Sequence, residues 1–219
     1  MDTESTLSTF TATDGENLVV QDWPLPHPLA QRGTVLIVHG LGEHAGRYDA
    51  LARRLNQWGF AVRGYDQYGH GESGGPRGGL PSDTRLLDDL ADLVDSTRRR
   101  MKPGTPLLLL GHSMGGLVAA CAVARRCCPV DGLVLSSPAL HLRLTPFQHW
   151  LVAVLPALLP NLRMGNGLRP EFLVHDRIGV RLARFIATAG PEVLAAAPRW
   201  RVPTLLLYAG DDQIGRAHV

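Results

Sequence analysis

A serine flanked by glycines is the feature of this sequence that most clearly predicts chemistry. Residues Gly111-His-Ser-Met-Gly115 have the G-x-S-x-G spacing, with an apolar run before them and an Ala-rich helical pattern after them. Glycines two residues before and after a serine leave room for a sharp, strained turn. Ser113 is therefore predicted to be a nucleophile at the N-terminus of a helix. The alternative is a glycine-rich turn with an incidental serine. His112 is interpreted as structural, because neighbouring side chains on such a turn point apart.

A serine that attacks a carbonyl group also needs N–H donors for the negative charge that develops on the oxygen. One donor is expected from the backbone of Met114, directly after the serine. The other is expected from the loop His39-Gly-Leu-Gly-Glu-His44, in which Leu41 is the candidate. A metal site formed by His39, Glu43 and His44 is a second interpretation of this loop. Its spacing does not match a helical zinc motif, and glycines interrupt any helix there.

Apolar runs alternate with helical patterns along the chain, which is typical of βαβ units and a mostly parallel sheet. Strands are expected at residues 18–23, 34–38, 60–65, 106–110, 133–135 and 203–208. Helices are expected at 47–58, from a cap at Ser82-Asp83 to about Val94, and at 114–126. The predicted fold class is thus α/β, with the serine turn between a buried strand and a helix.

The alternation of strands and helices stops between Pro138 and Pro203. This stretch is largely helical in pattern, and its length favours an inserted cap, because structureless loops of that length are rare in compact domains. The expected division is a core over 1–138, a helical cap over 139–200 and a continued core over 201–213. Apolar residues of the cap either hold an acyl chain or pack the cap onto the core; they are Leu151, Val152, Val154, Leu155, Leu158 and Leu159.

Three segments of the chain resemble those of a known family. His39-Gly-Leu-Gly-Glu-His-Ala-Gly-Arg-Tyr48 is similar to the H-G-x-x-E-H-x-x-R-Y segment of monoacylglycerol lipases. Asp66–Gly74 is similar to their D-x-x-G-H-G-x-S loop, and Gly111–Gly116 to their nucleophile turn. The chain is identified as a member of the α/β-hydrolase superfamily. It resembles the monoacylglycerol lipase and lysophospholipase branch, with a serine aminopeptidase-like hydrolase domain.

This resemblance implies an α/β-hydrolase fold, in which helices flank a mostly parallel sheet and a helical cap is inserted. It also implies a serine ester hydrolase that acts on monoacylglycerols, lysophospholipids or similar acyl esters through an acyl-enzyme on Ser113. No metal or organic cofactor is implied, and His70 is expected to organise its loop. The cap departs from the family, since Gly165–Leu168 is followed almost at once by Phe172–His175 where relatives carry a longer segment.

The resemblance further implies a catalytic triad in the order serine, acid, histidine. The acid is expected after the strand that follows the cap, where alignment with the family's G-x-x-D pattern favours Asp212 over Asp211. The triad histidine is expected some tens of residues later and is not present in this chain, because His218 lies too close to Asp212. The last strand and helix are accordingly expected to be missing and the fragment to be inactive.

The last six residues have a separate interpretation. Residues 214–219 can be written in codons as ATC GGA AGA GCA CAC GTC, which looks like a sequencing adapter. They are therefore interpreted as a non-native tail.

Composition limits the partners and the cellular location. The net charge is +2 and no basic run is long enough to grip phosphates, so no nucleic-acid partner is expected. An odd number of cysteines and the lack of a signal-peptide pattern favour a cytoplasmic protein. The apolar stretch 150–159 is shorter than the about 20 residues of a membrane span, which leaves only transient membrane-surface contact through the cap. The oligomeric state does not follow from these patterns.

Two other functions are compatible with the same residues. A peptidase or thioesterase is possible on this fold, because the triad does not depend on the leaving group. A non-catalytic binding domain that keeps the fold is the second alternative, and a complete gene without the histidine would favour it.

Overall fold

The computed structural model describes residues 4–26, 30–142, 144–165 and 175–208. Two short 3-10 helices, Ala45–Tyr48 and Ala197–Arg199, accompany the main elements. In chain order these elements are β1 (Thr6–Thr11), β2 (Asn17–Trp23), β3 (Gly33–Val38), α1 (Asp49–Gln57), β4 (Phe60–Tyr65), α2 (Arg85–Arg100), β5 (Leu107–His112), α3 (Met114–Ala124), β6 (Gly132–Ser136), α4 (Pro146–Leu158), β7 (Arg163–Gly165), β8 (Arg177–Gly179), α5 (Val180–Ala196) and β9 (Thr204–Leu207).

The main sheet has the strand order β1-β2-β4-β3-β5-β6-β9 within the described residues. β2 is antiparallel to both of its neighbours, and every pair from β4 to β9 is parallel. The predicted fold class, a mostly parallel sheet flanked by helices, is confirmed. β1 was not predicted, because its residues are polar and mostly exposed.

The central strand β3 shows why the sheet is apolar on both faces. All six of its residues are buried. Leu36 and Val38 pack into a core shared with α2, α3 and α5, whereas Val35 and Ile37 pack into a second core on the side of α1. Successive residues of a strand point to opposite faces, so a strand covered on both sides must be apolar throughout.

The predicted cap of α2 is wrong. The helix begins at Arg85, and Thr84 stands at the N-cap position without a side-chain hydrogen bond. The Asp83 carboxylate instead forms an ion pair with Arg184 of α5, about a hundred residues later in the chain. A contact this distant in sequence leaves no local signal, whereas a capping pattern is purely local.

The region predicted as a cap contains α4, the β7–β8 hairpin and α5. α4 begins with a capping box, in which the Thr145 hydroxyl accepts from the Gln148 N–H and the Gln148 side chain accepts from the Thr145 N–H. α5 packs on α3, and its Leu182, Phe185 and Val193 belong to the main core. The cap boundaries at 139–200 stay a prediction, although the last helix of that range is part of the core packing. None of the described helices is long and apolar enough to cross a bilayer.

The turn between β5 and α3 depends on two glycines. A Cβ atom at Gly111 would overlap the carbonyl oxygen of Gly115. A Cβ atom at Gly115 would overlap the carbonyl oxygens of Val38 and His39, which end β3 and begin the loop after it. β3, β5 and α3 therefore approach one another at a distance that only glycine allows.

We expect Gly115→Ala to lower the free energy of unfolding by about 3 kcal/mol, the upper end of the usual overpacking range. The added methyl group meets backbone atoms, which cannot rotate away as a flexible side chain can. Urea denaturation measures the change. The matched control is Gly165→Ala, where the nearest heavy atom to an added Cβ is 4.0 Å away. Equal stability of Gly115→Ala and the wild type would contradict the close approach.

Candidate active site

Ser113 lies in the sharp turn between β5 and α3. Its backbone has φ 51° and ψ −117°, a conformation that non-glycine residues rarely adopt. Three backbone hydrogen bonds hold it there. The Ser113 N–H donates to the Ser136 carbonyl at 2.9 Å, and its carbonyl accepts from Leu117 at 3.1 Å and Ala139 at 3.0 Å. Strain of this kind persists only where the surrounding structure fixes it, and it is typical of functional sites.

His112 turns away from this serine. Its ring Nδ1 lies 3.1 Å from the Ser136 carbonyl oxygen and 3.2 Å from the Ser136 hydroxyl. The ring is therefore bonded to the end of β6, which fits the structural interpretation made from the sequence.

The loop after β3 lies directly against Ser113. A Cβ atom at Gly40 would be 3.4 Å from the Ser113 Cβ. The next residue, Leu41, is half-buried and packs against the main core. Met114 is the first residue of α3, so its N–H is one of the helix N-terminal donors that have no partner within the helix. The loop that carries Leu41 therefore lies against Ser113 and Met114 follows it directly, and the roles of both as oxyanion donors stay predictions.

Glu43 and Tyr48 fix the shape of this loop. A single carboxylate oxygen of Glu43 accepts from the Gly40 N–H at 3.0 Å and from the Tyr48 hydroxyl at 2.9 Å. Burial raises the pKa of Glu43, but these two hydrogen bonds, together with the nearby His112 and His39, outweigh it and leave the pKa below its usual value. The Glu and Tyr of the family-like segment therefore have a structural use, in which an ionised carboxylate closes the loop.

His39 is fully buried beside this loop, and its tautomer follows from its partners. The Gln67 N–H donates to His39 Nε2 at 3.0 Å, so Nε2 carries no proton. The other ring nitrogen, Nδ1, then carries the proton and donates to the Gly40 carbonyl at 2.8 Å. Because both ring nitrogens are engaged in this way, His39 has no nitrogen left to bind a metal. Among the described residues, no group of three or more His, Cys, Asp or Glu side chains could hold a metal ion.

Asp66 joins the loop after β3 to the loop after β4. One carboxylate oxygen accepts from the Ala45 N–H at 2.7 Å and the other from the Glu72 N–H at 2.8 Å. The side chain is 5% exposed, so these N–H partners replace the water that it loses. The family-like D-x-x-G-H-G-x-S segment therefore serves to tie two loops together at the site.

The same loop places His70 at the centre of three imidazole rings. His70 is fully buried, and its ring centroid lies 5.3 Å from that of His39 and 4.6 Å from that of His175. Sequence reasoning missed this cluster, because the three residues come from distant parts of the chain. The only local signal was the His70 position in the loop segment.

Several predicted site residues fall outside the described part of the chain. They are Asp211, Asp212 and His218, together with the whole tail 214–219. Within the described ranges, no hydrogen bond joins a histidine ring to the Ser113 hydroxyl. The predicted acid Asp212 and the predicted absence of the triad histidine therefore stay predictions.

Helix α4, in the region predicted as a cap, presents apolar side chains to solvent. Phe147 and Trp150 are 66% and 57% exposed, and their rings stack at 6.1 Å between centroids. Leu151, Val152, Val154 and Leu155 are half-buried, whereas Leu158 and Leu159 are exposed. The apolar residues singled out in the sequence are thus divided between packing and exposed surface.

The chain is similar to several known lipases and to another protein with an α/β-hydrolase domain. Human monoglyceride lipase is 34% identical over 220 residues, which cover 92% of this chain and 71% of the human protein. The crystal structure of the Paleococcus ferrophilus monoacylglycerol lipase is 31% identical with a TM-score of 0.72, and the match covers 94% of this chain and 77% of that one. An abhydrolase domain-containing protein of Dictyostelium discoideum is 30% identical over 96% of this chain, which spans only 24% of that much longer relative.

A family model described as "Serine aminopeptidase, S33" matches residues 30–218 of the chain. This match includes the loop after β3, the serine turn and the cap. The turn at Ser113, the family model and the lipase relatives agree, so the chain belongs to the serine aminopeptidase S33 family of α/β-hydrolases, in its monoglyceride lipase branch.

Proposed function

We propose that this protein is a carboxylic ester hydrolase that cleaves monoacylglycerols, lysophospholipids or similar acyl esters through an acyl-enzyme on Ser113. The observation that carries the proposal is the strained Ser113 backbone, held between β5 and α3 with the loop after β3 against it. Such a turn presents a hydroxyl above the sheet, where donors can reach the carbonyl that it attacks.

The proposed reaction has two steps. The Ser113 oxygen attacks the ester carbonyl, a triad histidine takes the serine proton, and the N–H groups of Leu41 and Met114 stabilise the oxyanion. The histidine then gives its proton to the departing alcohol, and water releases the fatty acid in the second step. Asp212 would orient the histidine and stabilise its charged form. No cofactor takes part in this scheme.

The substrate class rests on the relatives and on the cap. The human and Paleococcus relatives carry the names monoglyceride lipase and monoacylglycerol lipase. The half-buried apolar residues of α4 could line the path of an acyl chain. The exposed Phe147 and Trp150 could touch a membrane surface from which such a substrate is taken. The cap boundaries at 139–200 belong to this proposal.

Two finer features are also proposed. A cytoplasmic location is supported by the three free cysteines, which suit a reducing compartment.

A peptidase is the second candidate function, favoured by the aminopeptidase description of the family model. A panel of p-nitrophenyl esters, thioesters and aminoacyl p-nitroanilides separates these activities.

Ser113→Ala is expected to abolish hydrolysis of p-nitrophenyl butyrate by the protein expressed from its full reading frame. Losing a triad nucleophile costs on the order of 10⁶ in turnover, because no other group in the site can form the acyl-enzyme. The control is Ser82→Ala, an exposed serine outside the site. A Ser113→Ala variant within tenfold of the wild-type rate would refute the nucleophile.

Asp212→Asn, in the same full-length protein, is expected to lower kcat by about 10⁴ because an asparagine can hold the histidine in the wrong tautomer. Asp211→Asn serves as the matched control, with a much smaller expected effect. Steady-state kinetics on the same ester measure both variants. The opposite ranking would show that the acid is Asp211.

Replacing Phe147 and Trp150 together with serine is expected to weaken binding to vesicles of phosphatidylcholine and phosphatidylglycerol by about tenfold or more. Each aromatic ring contributes about 1.5–3 kcal/mol when it is fully buried, and a surface contact buries only part of it. Vesicle co-sedimentation measures the change. Trp58→Ser is the control, since Trp58 is 54% exposed but lies at the end of α1. Equal binding by the wild type and the double variant would contradict contact through the cap.

A further inference from the structure

The orientation of the Leu41 N–H depends on the imidazole of His39. His39 Nδ1–H donates to the Gly40 carbonyl. Across a trans peptide bond, the carbonyl of Gly40 and the N–H of Leu41 point in opposite directions. A ring that holds this carbonyl on one side therefore turns the Leu41 N–H to the other side. His39 must stay neutral and in this one tautomer for the arrangement to hold.

His70 supports the His39 ring by packing. Its Nδ1–H donates to the Tyr68 carbonyl at 3.0 Å, whereas its Nε2 is buried without a hydrogen-bond partner among the described residues. The planes of His39 and His70 are tilted by 55°. This is the tilted arrangement that neighbouring aromatic rings prefer, so the contact works through ring shape and not through a hydrogen bond.

His175 reaches the other side of His70 from the segment that returns from the cap. Its ring is tilted by 57° to that of His70. β8 follows directly, and the Gly179 N–H donates to the Gly78 carbonyl at 2.8 Å. A Cβ atom at Gly78 would overlap the Arg177 carbonyl oxygen and lie 3.0 Å from the His175 ring. Residues 175–179, which follow the predicted cap helix α4 in the chain, are therefore closely packed on the loop that carries His70.

We propose that His70 is a positioning residue, which packs between the His39 and His175 rings and so transmits the position of the cap to the oxyanion donor Leu41. This inference rests on the proposed function, because it assigns His70 a part in forming the oxyanion site. His70 itself touches no reacting atom. A cap that moves His175 would release the His70 ring, then the His39 ring, and so the peptide between Gly40 and Leu41.

Burial of the three rings favours their neutral form. Burial lowers the pKa of His39, of His70 and of His175. The titratable groups that act on the three rings lie on several segments: Asp66, Glu43 and His44 act on His39, Arg77 on His70, and Arg77, Asp176 and Arg163 on His175. Because the folded-state pKa values are lowered, protonation of these rings destabilises the folded protein. Their contribution to the free energy of unfolding is therefore fully present above the usual imidazole pKa of about 6.5, and it is lost as the pH falls through the lowered values.

The test compares His70→Ala with His70→Phe in the full-length protein, using p-nitrophenyl butyrate. His70→Ala is expected to lower kcat by up to about 100-fold, the usual cost of one lost oxyanion donor, with KM changed by less than about threefold. His70→Phe keeps an aromatic ring between His39 and His175 and is expected to recover most of kcat. His141→Ala, at an exposed histidine, is the control. Full kcat in His70→Ala, or equally low kcat in both variants, would overturn the proposal.

Two further measurements do not depend on activity. Nitrogen-15 spectra of the histidine rings are expected to show His39 protonated at Nδ1 in the wild type and in His70→Phe, and a mixture of tautomers in His70→Ala. The loss of thermal stability on acidification is expected to be smaller in His70→Phe than in the wild type, because one buried titrating ring is removed. If the wild type has no esterase activity, the proposed function fails. An unchanged His39 tautomer in His70→Ala would refute the proposal that His70 positions the His39 ring, whether or not the proposed function holds.

Discussion

The rare positive-φ backbone of Ser113 lies where β3 and α3 approach so closely that a Cβ atom at Gly115 would overlap the carbonyl oxygens of Val38 and His39. The Ser113 backbone is strained, and such strain persists only when neighbouring elements fix it. The buried β3, apolar on both faces, supplies the rigid support from one side. The hydrogen bond from the Ser113 N–H to the Ser136 carbonyl, at the end of β6, supplies it from the other. The packing of the sheet is thus a condition for the serine conformation on which the proposed chemistry depends.

The polar groups around the serine are arranged so that each buried charge has donors. Asp66 accepts from two backbone N–H groups, and Glu43 accepts from a backbone N–H and a tyrosine hydroxyl. Unpaired carboxylates would be costly at this depth, so the loops can close only in the conformation that supplies these donors. The same requirement keeps His39 and His70 neutral, since neither has a carboxylate within hydrogen-bonding distance. Electrostatics and packing therefore select one loop geometry next to Ser113.

Whether a feature of the fold or of the site could be predicted depends on how far apart in the sequence its interacting residues lie. The strands β3 to β6 and the turn at Ser113 follow from local patterns, because an apolar run flanked by glycine or proline and a G-x-S-x-G turn carry their own signal. The start of α2 was predicted wrongly, since Asp83 is paired with Arg184 in a distant helix. The strand β1 was missed because its side chains are mostly exposed, and an edge strand needs no apolar pattern. The family resemblance identified Glu43 and Tyr48, but only the structure explains why both are present.

The histidine cluster shows a limit of a different kind. His39, His70 and His175 are separated by about thirty and about a hundred residues, and nothing in the spacing indicates that their rings meet. From the sequence alone, each can be interpreted as a buried structural side chain, so a sequence argument stops there. Their contact makes the proposed oxyanion loop and residues 175–179, which follow the predicted cap helix α4, parts of one packed unit. Packed units have a few discrete arrangements and do not deform continuously. A cap that opens for a substrate must therefore either leave His175 in place or disturb the donor next to Ser113. Binding and catalysis in this fold would then be coupled through side-chain packing, with no need for any larger movement of the sheet.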